Sequence, residues 1–92
     1  MNELRIEWTE YMRYRAVLRG FDLARIEDVV RYSDKRYVDN TTGRLIVVGR
    51  HTDALMMVPC EMEQDVIRPV TVHATNRAQI DARIKSGRFT HE

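Results

Sequence analysis

The sequence predicts an α+β fold: two N-terminal helices packed on a four-stranded antiparallel sheet, followed by a C-terminal helix. Three observations carry this. Residues 44–51 (RLIVVGRH), 54–60 (ALMMVPC) and 66–73 (VIRPVTVH) are rich in β-branched or bulky apolar side chains and are separated by short polar connections, the pattern of consecutive antiparallel strands. Two segments before them carry helix start and stop signals, with Gly20 between them. A last helical segment opens at Asn76 and closes at Gly87.

Taken in order, residues 4–8 form either a short strand or an extended lead-in. Thr9 caps a helix over residues 10–19 that Gly20 ends, with Met12, Ala16 and Arg19 on one side. Asp22 caps a second helix over residues 23–31, and Phe21 is placed to staple to Ile26 across that cap. Leu23, Ile26, Val29 and Val30 give this helix a buried stripe. Residues 33–35 turn into a short edge strand at residues 36–39, which leads through residues 40–43 to the central strand. Leu45, Ile46, Val47 and Val48 are consecutive apolar residues, so both faces of the central strand must be covered. Its partner carries Leu55, Met56, Met57 and Val58 in the same way. Thr52-Asp53 predicts a tight hairpin that sets Arg50 opposite Leu55, Gly49 opposite Met56 and Val47 opposite Val58. Pro69 cannot donate to a ladder, which puts residues 66–73 at a sheet edge or makes Pro69 a bulge. In the last helix Ile80 and Ile84 share a face, and residues 88–92 read as a tail.

Ninety-two residues make one domain over residues 1–92, near the lower limit for a self-sufficient core. With 32% charged and 43% hydrophobic residues the chain is typical of a soluble globular protein. No apolar run reaches the ~20 residues of a membrane span, and there is no signal-peptide layout. The single cysteine, Cys60, reads as a buried thiol and points to a reducing cytoplasm, so the Asn40-Thr41-Thr42 sequon is read as chance. A net charge of +1 excludes a strongly polycationic nucleic-acid binder but not a local basic groove. Thirteen of the fifteen basic residues are arginines, whose planar fork suits phosphate or carboxylate; a GC-rich genome produces the same bias.

The strand order places chemistry at one rim. In a regular meander the first and third strands end at the same edge, so His51 and His73 lie there, roughly 10 Å apart across the middle strand. Metal-free RNA cleavage needs a base, an acid and a cation for the phosphorane. His51 and His73 have suitable unperturbed pKa values for base and acid. Arg77, at a helix start where anions are favoured, completes the candidate catalytic set, with Arg50, Arg68 and Arg44 as phosphate contacts. No Cys pair or His-x-x-x-His supports a metal, and no Gly-rich loop, nucleophile elbow or dinucleotide fingerprint is present, so no cofactor is implied. Trp8, Tyr11 and Tyr14 suit base stacking, but helix-to-sheet packing explains them more simply.

Three local patterns resemble a known family. Trp8-Thr9-Glu10 followed by Arg15…Leu18-Arg19-Gly20-Phe21-Asp22 resembles the W-D-x…L-x-x-H-G-[IV]-[ST] opening of BrnT-type toxins. Arg15…Arg19-Gly20-Phe21 is also similar to the R-x-x-x-R-G-[IV] segment of related small domains of unknown function. Ile67-Arg68-Pro69-Val70-Thr71-Val72…Ala74-Thr75-x-Arg77 resembles their last strand and helix start. The resemblance implies a RelE-like ribonuclease fold, metal-free cleavage of RNA and neutralisation by a cognate antitoxin protein, with Arg19 as the basic residue before the first Gly. The chain departs from the pattern where His73 stands at or beside the family's arginine, and where Ala78 or Gln79 stands for its glutamate. The alternative reading is a non-catalytic protein-interaction domain that retains the fold; a homo-oligomer is left open by either.

Overall fold

Apolar side chains on both faces of the central strands require a layer on each side, and the computed structural model, which describes residues 4–92, supplies both. Ten elements follow one another: β1 (Arg5–Ile6), α1 (Glu10–Leu18), α2 (Leu23–Tyr32), β2 (Arg36–Asp39), β3 (Leu45–His51), β4 (Ala54–Glu63), β5 (Val66–Pro69), β6 (His73–Thr75), α3 (Arg77–Lys85) and β7 (Phe89–His91). The sheet runs β1-β5-β4-β3-β2-β7, with β6 alongside β4; β1 pairs parallel to β5 and every other pair is antiparallel. Among the described residues three helices and seven strands thus make an α+β fold, with three strands more than the expected four.

The helix boundaries follow from local chemistry. Thr9 Oγ1 accepts from the Met12 N–H at 3.0 Å, Asp22 Oδ1 from Ala24 N–H at 3.0 Å, and Asn76 Oδ1 from Gln79 N–H at 2.9 Å. Each cap satisfies one backbone donor that the first helical turn leaves without a partner. Gly20 stops α1 at φ +75°, a left-handed conformation that costs glycine nothing.

α1 and α2 cover one face. Met12, Ala16, Ile26, Val29 and Val30 pack there on Leu45, Val47, Met56, Val58, Cys60 and Ile67, all buried. The approach of α2 to β3 is close: a Cβ on Gly49 would lie 2.6 and 2.7 Å from the two Val29 methyls. Hydrogen bonds tie the layers as well, among them Arg25 Nε to the Arg50 carbonyl at 2.9 Å and Ser33 Oγ to the Val48 carbonyl. Among the described residues the opposite face is covered by α3, through Ile80 and Ile84, and by Phe89, which join Tyr37, Ile46 and Val48.

The β3–β4 hairpin has the predicted register, with Arg50↔Leu55, Gly49↔Met56 and Val47↔Val58. Three expectations are corrected. Residues 36–39 do not form an edge strand, because β7 pairs outside them, and residues 88–92 are accordingly not a tail. Of the two readings of residues 4–8, the short strand is the one observed: β1 extends the other end of the sheet. Residues 66–73 do not form one strand. Cys60 faces Pro69, so an unbroken ladder would set Met57 opposite Val72; instead His73 opposes Met57. One extra residue is therefore accommodated after Pro69, as in a β-bulge, and every side chain beyond it changes face.

Candidate anion-binding site

The bulge decides where His73 goes. Ile67 lies in the α1/α2 core, and strict alternation would carry residue 73 to that same face. With one residue inserted, Val72 takes the core position and His73 turns to the α3 side, where it lines a cavity of about 390 Å³. His51 remains on the α1/α2 side. Its Nε2 accepts the Asp22 backbone N–H at 3.0 Å, and its ring meets Phe21 edge-on at 5.1 Å. The two histidines thus occupy opposite faces and do not converge as the regular meander predicts.

Both imidazoles are held by donors. Arg19 Nη1 donates to His73 Nδ1 and also to the Val72 carbonyl at 2.8 Å. A guanidinium can only donate, so Nδ1 is the acceptor and the neutral ring carries its proton on Nε2. The Asp22 N–H fixes the opposite tautomer in His51 by the same logic. Burial lowers the pKa of His73, and the positive charges of Arg15 and Arg83 lower it further. At neutral pH His73 is therefore an uncharged hydrogen-bond donor through Nε2, and it becomes a base only when Arg19 lets go of Nδ1.

Around His73 the electrostatics are lopsided. Arg15 and Arg19 come from α1 and its end, Arg83 from α3. Buried polar atoms without a hydrogen-bond partner include Arg15 Nε, Thr71 Oγ1 and Arg83 Nη1. Thr71 and Arg83 line the same cavity as His73, together with Arg44 and Arg88. An unsatisfied buried donor costs about 1–3 kcal/mol, more when charged. Arg83 makes no ion pair among the described residues; its guanidinium lies 5.6 Å from the Phe89 ring centroid. Arg88, by contrast, grips Asp39 through Nε and Nη2 at 3.1 Å each. Burial works to raise the Asp39 pKa, but the Arg88 guanidinium and the Thr41 N–H outweigh it and hold the carboxyl below its usual range. Asp39 thus neutralises Arg88 and leaves Arg83 uncompensated.

The remaining candidates separate into two groups. Arg50 and Arg77 line a second cavity, at the start of α3. Arg44 and Arg68 belong to an ion-pair cluster at the other end of the sheet: Arg44 lies 3.9 Å from Glu61, and Arg68 binds Glu7 and lies 3.6 Å from Glu61. Arg44 also borders the His73 cavity. Among the described residues no three His, Cys, Asp or Glu side chains gather as metal ligands. The comparisons give no identity. No protein family, curated protein or solved structure matches the chain significantly.

Sequence reasoning missed Arg15, Thr71, Arg83 and Arg88. Arg83 had a usable signal: it stands four residues after Gln79 and three after Ile80, beside the apolar stripe of α3. Arg88 could have been found from Asp39, an acid in a buried strand that requires a cation. Thr71 gives no such signal, because only the bulge aims it into the cavity.

Proposed function

We propose that the chain is a toxin-like RNA-binding protein that grips the phosphodiester backbone on the α3 side of the sheet, with His73, Arg83 and Arg19 at the centre of the site. The observation that carries this is the cluster of Arg15, Arg19 and Arg83 around one imidazole, with buried donors lacking a partner. Like charges held together are stabilised by an anion, and a phosphate oxygen also satisfies the open donors. His73 Nε2–H then donates to the same phosphate. Metal-free cleavage at this site requires the phosphate to draw Arg19 away, which frees Nδ1 to take the 2′-hydroxyl proton as the 2′-oxygen attacks phosphorus; the imidazolium so formed returns a proton, through solvent, to the 5′-oxygen as the phosphorus–5′-oxygen bond breaks. The helix–helix–sheet–helix order supports the RelE-like arrangement; β1 and β7 extend it.

A second reading rests on a different surface. Tyr11, Tyr14, Val17 and Leu18 on α1 are 55%, 59%, 78% and 59% exposed rather than packed on the sheet. This apolar stripe, bordered by Arg13 and Arg15, favours a protein partner such as an antitoxin, and it exists whether or not RNA is cleaved.

The test is binding of a labelled single-stranded RNA by the purified protein at low salt, with cleavage followed separately. Arg83→Gln, which loses one charged hydrogen bond of about 1.5–3 kcal/mol, should weaken binding about 10- to 150-fold. Wild-type binding no tighter than that of Arg83→Gln would refute the RNA reading. Binding without cleavage would refute the ribonuclease step alone.

A further inference from the structure

The second cavity, at the start of α3, differs from the first in its charge arrangement. It holds about 190 Å³ and is bordered by three cations, Lys35, Arg50 and Arg77, with no carboxylate in its lining among the described residues. None of the three makes an ion pair or side-chain hydrogen bond among the described residues, whereas Arg31, Arg36, Arg44, Arg68 and Arg88 all do. Their position is fixed by three separate elements. Lys35 precedes β2 and is held there by its backbone, which donates to Ser33 Oγ at 3.1 Å and accepts from Val48 N–H at 2.9 Å. Arg50 comes from the end of β3, and Arg77 is the first residue of α3. Between them the walls are apolar: Val48 and Ile80 are 5% and 2% exposed, and Leu55 packs beside them.

We propose that this cavity binds a terminal phosphomonoester of a nucleic-acid strand. Three unpaired cations call for more negative charge than one internal phosphodiester brings. A phosphomonoester carries about −1.5 to −2 at pH 7 and offers three acceptor oxygens. The volume sets the size of the ligand. It falls below the roughly 300–1,000 Å³ that encloses a complete small molecule, so it takes an end group with the adjoining apolar sugar edge rather than a whole cofactor. The location supplies the strand. Arg77 and Arg83 are six residues apart on α3, about 9 Å along its axis and about 120° around it, so one strand that ends at Arg77 reaches the His73 cavity by wrapping part-way around the helix. This rests on the RNA reading above, and it adds a requirement for a phosphorylated end.

The experiment compares one RNA sequence bearing a 5′-phosphate, a 3′-phosphate or hydroxyls at both ends, with phenyl phosphate as a small probe followed by amide shifts of Gly49, Leu55 and Ile80. One phosphorylated form should bind at least about tenfold tighter than the hydroxyl-ended strand, and the Arg50→Gln/Arg77→Gln double variant should bind all three forms alike. Both side chains are exposed and unbonded, so the variant should fold as the wild type does. Equal binding of the three forms by the wild type overturns the proposal, as does a preference that survives in the double variant. If no RNA binds but phenyl phosphate shifts those amides in the wild type alone, the RNA reading fails and the phosphomonoester site stands. If phenyl phosphate shifts nothing and no RNA binds, both fail.

Discussion

Gly49→Ala tests whether the contact between α2 and β3 sets the geometry of the whole sheet. The new Cβ would sit 2.6 Å from one Val29 methyl, 2.7 Å from the other and 3.1 Å from the Val29 Cβ. Carbon atoms attract best at about 3.5–4.0 Å, so the overlap with each methyl approaches 1 Å. Val29 cannot swing aside, because a β-branched residue in a helix has essentially one χ1 rotamer. α2 must therefore retreat as a body, stretching the Arg25–Arg50 and Ser33–Val48 hydrogen bonds that bind it to β3. Overpacking of this kind costs about 1–3 kcal/mol. The entropy that alanine removes from the unfolded chain offsets at most about 0.4–1 kcal/mol, so the clash wins. In urea denaturation the variant should lose stability by that net amount, and its Tm should fall by about 4–8 °C per kcal/mol. In a Val29→Ala background, which removes both methyls, the same substitution should cost little, giving a coupling energy of about 0.5–3 kcal/mol. A Gly49→Ala protein within 0.5 kcal/mol of wild type, or a cycle with no coupling, would refute the packing argument.

His73 should make stability depend on pH. Its folded-state pKa lies below the unfolded value of about 6.5, first through burial and then through Arg15 and Arg83, so the unfolded chain binds the proton more readily. Its contribution is fully present above pH 6.5 and declines as pH falls below it. The urea midpoint should therefore drop less between pH 7.5 and 5.5 in His73→Gln than in wild type. Equal slopes would contradict the assignment. Cys60 is fully buried and its thiol is pushed up to about 12, so a thiol reagent at pH 8 should label it only as fast as the protein opens. Rapid stoichiometric labelling of the folded protein would show that the residue is accessible.

What the sequence made legible was local. The caps at Thr9, Asp22 and Asn76, the stop at Gly20 and the Thr52-Asp53 hairpin depend on neighbours within a few residues, and each stands in the structure as read. The buried stripe of α2 and the two-faced burial of residues 45–48 follow from periodicity alone. The pairings that were missed are non-local. β1 joins β5 across some sixty residues and β7 joins β2 across some fifty, and neither two-residue nor three-residue segment carries a pattern of its own. The aromatic residues of α1 were misplaced for a related reason: Tyr11 and Tyr14 carry the apolar signal, but Met12 and Ala16 take the core positions. For the site, the residue types were legible and the faces were not. Pro69 announced a possible bulge, yet whether one residue is inserted there depends on how β4 continues past Cys60.

That single inserted residue has a consequence for how the two faces of the sheet divide their work. The α1/α2 face is closed by two helices and lined by apolar side chains, so an imidazole and a threonine hydroxyl aimed at it would each lose their hydrogen bonds to water. The α3 face has one nine-residue helix, held by Ile80 and Ile84, and is open at both ends of it. The bulge moves His73 and Thr71 from the face that excludes water to the one that admits a ligand. A net charge of +1 is compatible with a cationic groove there because several carboxylates, one of them (Asp39) in the wall of the His73 cavity, are committed to particular arginines. Glu7 and Glu61 hold Arg68, Asp39 holds Arg88, Glu27 holds Arg31 and Glu92 holds Arg36. Arg50, Arg77 and Arg83 make no ion pair among the described residues, and all three border the cavities that flank α3. The distribution of acids, more than the number of arginines, is therefore what makes this face attractive to an anion.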